Sequence, residues 1–269
     1  MSLESWRLNP EQIYNRTFIH EGELNESEDQ LSYSLIEKVK SYTKHTFDEF
    51  GTVFDAEKRR HDEEELSSIQ KKHNGKSADR SQLVTNILLY LIGNKGYLES
   101  NRPDRETYID VAHRYDDVIN GTDVIVTFHD ENDPDNPILL AIDTTSAEDI
   151  SKKEDRIKRE LSKGHLRRLE YYFNPATNQA VGRQEAIPIV ISLPKAETTK
   201  IAKKWSEKKE SDVAFGKSSL DLDFKIRTFI VEQLKDSIIF CEAQQPRNSQ
   251  ELQEKLQRAI ELVQPYPES

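Results

Sequence analysis

Asp123 opens one apolar run, TDVIVTF at 122–128, and Asp143 stands near the end of the next, ILLAIDTT at 138–145. Residues two apart in a strand share a face, so Asp123 should lie with Ile125 and Thr127, and Asp143 with Leu139, Ala141 and Thr145. Between the runs, DENDPDNP is acidic and turn-forming, and its prolines cannot donate to a ladder, so it reads as a hairpin loop. Folding about that loop sets the start of the first run beside the end of the second. Asp123 and Asp143 then become neighbours at one end of a sheet. Carboxylates that close repel, and one holds a proton unless a cation lies between them. Oxygen-only donors suit Mg²⁺ or Mn²⁺, and such an ion lowers the pKa of a bound water and polarises a phosphoryl oxygen. Asp143 makes a poor loop cap, because five apolar residues precede it and two threonines follow.

Two further groups belong to the same neighbourhood. Asp116 and Asp117 stand just before Gly121, within reach of Asp123, and read either as turn residues or, for Asp117, as one more ligand. Ser146 reads as an N-cap, with Glu148 and Asp149 in the first turn of a helix through about Lys163 that Gly164 stops. On that helix Ile150, Lys153, Ile157 and Leu161 recur at spacings of three and four. Lys153 is therefore the one charge in an apolar, sheet-facing stripe, from which it can reach the acids or snorkel to water.

The surrounding elements follow from periodicity. Residues 1–76 read as a charged helical region, with Leu31, Leu35, Val39 and Tyr42 forming one apolar stripe and DAEKRRHDEEELSSIQKKHNGK an exposed helix or mobile arm. KHNGKSAD marks a linker. From Arg80 an apolar helix carries Leu83, Ile87, Tyr90 and Leu91 on one side. ETYIDVAHR alternates as a first strand, and LRRLEYYF and IPIVISL are two more beyond the hairpin. The remainder, 196–269, is helical and is expected to pack on the core. The fold class expected is α/β, a central mixed sheet of about five strands flanked by helices, with the core at 77–195.

The order helix, strand, GTDVIVTF, loop, ILLAIDTT, helix resembles the core of the PD-(D/E)XK nuclease superfamily, the restriction-endonuclease-like fold, over roughly residues 80–195. The resemblance implies that Asp123 and Asp143 are the two metal-binding acids and that Thr145 occupies the motif lysine's position. Members of the superfamily sometimes carry that lysine on the following helix, which Lys153 matches. Their first-motif Glu has no counterpart in the 80–95 helix, where Gln82 and Asn86 are the nearest polar residues; Glu37 on the earlier helix is a replacement candidate. The activity implied is metal-dependent phosphodiester hydrolysis in DNA or RNA. Asp123, Asp143 and Asp117 would hold Mg²⁺ or Mn²⁺, Thr145 would position water, and Lys153 would stabilise charge at the phosphate. The alternative is a catalytically inactive binding or regulatory module on the same fold, acting through protein partners of the charged helices.

Composition limits the field. A net charge of −11 argues against a general nucleic-acid coat, yet Lys152, Lys153, Arg156, Lys158, Arg159, Lys163, Arg167 and Arg168 form a local basic stretch that could hold nucleic acid. The single cysteine, Cys241, excludes an internal disulfide and fits a reducing compartment. With no apolar run long enough for a membrane span and no secretory signal pattern, a soluble, cytoplasmic protein is expected. The histidines show no HxxxH or HxH spacing, and no Gly-rich phosphate loop or GxSxG occurs. His113 and His129 lie near the strands and read as surface or satisfied core residues.

Overall fold

The long apolar runs of the central region lie where a strand buried on both faces would be. In the computed structural model ILLAIDTT is the strand Ile138–Thr145, with every residue buried. The structure describes residues 24–42, 45–72, 79–94, 98, 105–130, 136–207, 216–244 and 249–264. The middle of the KHNGKSAD linker (73–78) and of the DENDPDNP loop (131–135) lies outside those residues, as does the first part of the N-terminal region.

Five strands form one mixed sheet: β1 Arg105–Val111, β2 Val124–Asp130, β3 Ile138–Thr145, β4 Arg167–Asn174 and β5 Gln179–Ser192. Their order is β1-β2-β3-β5-β4. β1–β2 and β2–β3 are antiparallel, with Val124 opposite Ile142. β3 and β5 are parallel, with Asp143 opposite Val190 and Thr145 opposite Ser192. That parallel pair needs a crossover, and α4 (Ser151–Leu161), a helix on the way from β3, supplies it. The helices before it are α1 Glu26–Val39, α2 Ala56–Lys72 and α3 Asp79–Leu89, and those after are α5 Lys195–Glu207, α6 Gly216–Gln244 and α7 Ser249–Val263. This is the α/β architecture expected, a five-stranded mixed sheet flanked by helices.

The two faces of the sheet are unequal. Val124, Val126, Leu140 and Ile142 point into a large core with Leu83 and Ile87 of α3, Ile157 and Leu161 of α4, and residues of α6 and α7. The opposite face buries a small set, Ala112, Ile125, Leu139, Ala141, Leu169, Tyr172 and Ala186. Asp143 continues the second, thinner face by alternation.

Several local expectations shift. The helix after β3 starts four residues later than a Ser146 cap would put it. Ile150 precedes it without a side-chain cap, and Ser146 is buried in the connection. The strand expected through His113 ends at Val111, and the chain turns into a π-helical turn, Asp116–Asn120. The helix from Arg80 likewise ends at Leu89 and continues as a π turn, Tyr90–Asn94. The charged α2 is no free arm. Asp62, Leu66 and Ile69 are buried, and Asp62 accepts from the Tyr171 hydroxyl at 2.7 Å.

Candidate functional site

Asp123 stands one residue before β2, and its amide donates to the Ile142 carbonyl at 2.9 Å. Its carboxylate turns along the strand ends and accepts from the Thr144 N–H at 2.6 Å and the Thr144 hydroxyl at 2.7 Å. Thr144 faces α3, where its hydroxyl also meets that of Thr85 at 2.7 Å. Asp143, on the other side of β3, points at α4. Lys153 Nζ donates to its Oδ1 at 2.8 Å, and Arg156 Nη2 reaches its Oδ2 at 3.4 Å. Lys153 thus leaves its helical stripe toward the acids rather than toward water, and its Nζ lies 3.4 Å from the Thr144 carbonyl too.

The electrostatics bind these residues into one group. Burial pushes the Asp123 carboxyl up to about 8, and the negative charges of Asp117 and Asp143 push it the same way, against the two Thr144 hydrogen bonds that pull it down. Asp123 therefore carries a proton near neutrality while Asp143 rests against two cations. Asp123 and Asp143 stand at one end of the sheet, flanking the Val124–Ile142 pair, with Lys153 on Asp143; among the described residues Asp117, Asp123 and Asp143 form no set whose ligand atoms all lie within 4.8 Å of one another.

The neighbouring aspartate has a different job. Asp116 is fully buried and accepts the N–H groups of Glu170 and Tyr171, both at 2.8 Å, and the Asn120 side-chain amide at 2.6 Å. It fastens the turn between β1 and β2 to β4. Burial lifts its carboxyl to about 6 against those donors. The turn ends at Gly121, whose φ of 65° is left-handed and suits glycine. Asp117, next in the turn, is only half-buried.

Other candidates lie elsewhere. Thr145 is 1% exposed, and its hydroxyl accepts from the Ala147 N–H at 3.2 Å, closing the turn after β3. Glu37 is solvent-exposed on α1, paired with Lys40 at 2.7 Å. Gln82 donates to Asn86 at 3.1 Å within α3. His113 is buried, stacked on Tyr171 at a centroid distance of 4.4 Å, and its Nδ1 accepts from the Tyr115 N–H, as a satisfied core histidine would. The basic stretch divides: Lys153, Arg156 and Arg167 turn inward onto carboxylates, whereas Lys152, Lys158, Arg159 and Lys163 are exposed.

Arg156 had no signal of its own in the sequence beyond standing three residues after Lys153, the spacing that puts both on one helix face. A separate set, His61, Asp62 and Glu65 on α2, brings one potential ligand atom each within 4.8 Å of one another. Asp62 there already holds Lys58 and Tyr171, and Glu65 holds the Tyr115 hydroxyl at 3.0 Å. A cleft of about 780 Å³, lined by Asn136, Leu139, Arg168, Arg183, Lys255 and Arg258 among others, opens at the far end of β3 from Asp143. Among the described residues, no helix is long and apolar enough to cross a membrane.

The donor set of the acidic group is all oxygen, which fits a hard divalent cation better than zinc or copper. The raised Asp123 pKa and the Lys153 ion pair are what such a set does to neutralise itself when protons and side chains supply the positive charge. Comparison with known protein families, with curated proteins and with solved structures finds no match for this chain.

Proposed function

We propose that the protein is a Mg²⁺- or Mn²⁺-dependent phosphodiesterase of the PD-(D/E)XK type that cuts DNA or RNA. One observation carries the reading: a lysine from the crossover helix reaches an acid on the central strand, at the sheet end where Asp123 precedes the neighbouring strand. The topology is compatible with it: three antiparallel strands are followed by a helix, then by β4 at the sheet edge, and then by β5, which runs parallel to the third strand.

Asp123, Asp143 and Asp117 would hold the ion. Bound there, it would supply Lewis-acid polarisation of a phosphoryl oxygen and a water acidic enough to attack. Lys153 pairs with Asp143 and, released from it, would place a positive charge where a phosphate oxygen gains charge. Arg156 holds the second oxygen of Asp143 from the buried side and fixes the carboxylate's orientation. Asp123 would give up its proton as it takes up the ion. The Thr145 hydroxyl is buried and accepts from the Ala147 N–H, so in this account the water-positioning role falls to Lys153 and the acids. The exposed Lys152 and Arg159 on the same helix, and Lys163 in the turn after it, offer charge to a phosphate backbone.

The test is cleavage of labelled single- and double-stranded DNA and of RNA with Mn²⁺, by the wild type and by Asp143→Asn and Lys153→Met. Metal-dependent cleavage lost in both variants supports the reading. Cleavage that survives Asp143→Asn, or none of any substrate by the wild type, overturns it.

One observation favours the module reading as the alternative: every side-chain charge on Asp143 is met within the protein, by Lys153 and Arg156. In that account the acids and cations are a structural knot, and the protein acts through partners of its charged helices.

A further inference from the structure

Asp143 and the Asp116–Asn120 turn belong to segments apart in sequence, yet a continuous set of ion pairs and hydrogen bonds joins them. Arg156 Nη2 contacts Asp143 Oδ2 at 3.4 Å, and its Nε pairs with Glu160 Oε1 at 3.5 Å. The other Glu160 oxygen accepts from Arg167 Nε at 3.0 Å. Arg167, the first residue of β4, sends Nη1 to the carbonyls of Asn120 at 2.8 Å and Gly121 at 3.3 Å. Asp123 follows two residues later and closes the circuit by accepting the Thr144 N–H, next to Asp143. The circuit ties α4, β4, the acidic turn and β3 into one ring.

Stability alone gives little reason for such an arrangement. Arg156 and Arg167 are 9% and 4% exposed, and Arg156 Nε and Nη1 and Arg167 Nη2 are buried without a hydrogen-bond partner among the described residues. Each buried donor left unpaired carries a desolvation cost, and a buried ion pair is often no more stable than an apolar replacement. What the ring does uniquely is fix distance. The turn's carbonyls are held at a set reach from the same carboxylate, Glu160, that holds the guanidinium on Asp143. Groups that orient ligands in this way commonly change metal affinity by about 10- to 100-fold when removed.

We infer that Glu160 and Arg167 are positioning residues, which through Arg156 set the separation between the turn carrying Asp117 and the Asp143 carboxylate. The consequence for metal binding rests on the reading proposed above; the mechanical coupling does not. Neither residue touches the acids directly, so their effect reaches the site only through the ring.

Hydrogen exchange on the full-length protein tests the coupling without metal. The amides of Gly121 and Thr122 donate to the carbonyls of Asp117 and Asp116, both at 3.1 Å, and report on the turn. Arg156→Gln touches neither the turn nor β4, yet it should speed exchange at these two amides about tenfold while Ile189 in β5 exchanges as before. Unchanged exchange at the turn would overturn the relay, as would equal acceleration at Ile189. Mn²⁺ titration then tests the consequence. Glu160→Gln and Arg167→Gln should each weaken binding about 10- to 100-fold, and the double variant should be no weaker than either single one. Arg167→Lys, which keeps the charge on Glu160 but cannot also span both carbonyls, should recover part of the loss. Additive losses would mean two independent structural effects and refute the positioning role. A wild type that binds no Mn²⁺ would sink the phosphodiesterase reading, and the exchange arm would still decide the relay.

Discussion

Lys153→Met separates the two things the lysine does. Its Nζ lies 2.8 Å from Asp143, and the two side chains are 17% and 11% exposed, so the pair is mostly but not wholly out of water. A hydrogen bond to a charged group contributes about 1.5–3 kcal/mol. Arg156 stays on the other oxygen at 3.4 Å, which places the loss near the lower end, at about 2 kcal/mol. For a chain of this size that is a fall in Tm of about 4–8 °C in EDTA. The opposite holds for metal. In the wild type an ion must displace the lysine from Asp143, and in the variant it need not, so Mn²⁺ should bind up to about thirtyfold tighter, taking 1.4 kcal/mol per factor of ten. Thermal denaturation with and without Mn²⁺ reads both quantities: the variant should start lower and gain more. A variant as stable as the wild type in EDTA, or one that Mn²⁺ protects less than the wild type, would refute the electrostatic reasoning.

Other outcomes follow from the same structure. Asp123 has a folded pKa raised from the ordinary 3.8 to about 8, so the folded state holds the extra proton between those values and stability falls as pH rises through that window. Asp123→Asn, whose amide mimics the protonated acid, should raise Tm more at pH 8 than at pH 5 in thermal melts and abolish Mn²⁺ binding. His45 lies between Asp110 at 2.9 Å and Glu49 at 3.2 Å, stacked on Phe173, and burial opposes these acids, which together raise its pKa. Its contribution is full below its unfolded pKa and fades as pH rises through the folded one, so His45→Ala should lower Tm more at pH 6 than at pH 9. Glu28 is wholly buried and accepts from Arg80 at 2.9 Å and from Thr198 and Thr199 at 3.0 Å, joining α1, α3 and α5. Glu28→Gln should cost about 3–5 kcal/mol by urea denaturation, as breaking a buried pair does, without changing Mn²⁺ affinity.

The central sheet was legible because its strands advertise themselves. ILLAIDTT is apolar enough to demand burial on both faces, and the acidic loop before it favours a hairpin, so the sequence alone places Asp123 and Asp143 at one end. Lys153 could be singled out because it breaks a stripe of Ile150, Ile157 and Leu161. Arg156, Glu160 and Arg167 were not legible: in a segment crowded with charges, nothing marks which side chains turn inward, and the decision comes from β4 packing beside the turn. Asp116 and Asp117 show the same limit, since adjacent identical residues end up as a buried anchor for β4 and a half-buried residue whose charge raises the Asp123 pKa. The late start of α4 was hidden by Ser146, whose type suits a cap while its position at the end of β3 buries it. The docking of α2 was hidden by its charge, because Asp62 is buried through its contacts with Lys58 and Tyr171 rather than through apolar packing.

Calorimetric titration with Mn²⁺ and Mg²⁺, on the wild type and on Asp143→Asn, tests the metal site most directly, because it requires no guess at a substrate. The account predicts saturable binding by the wild type, with protons released as Asp123 ionises, and none by Asp143→Asn. Equal binding by both proteins, or none by either at millimolar metal, would contradict it.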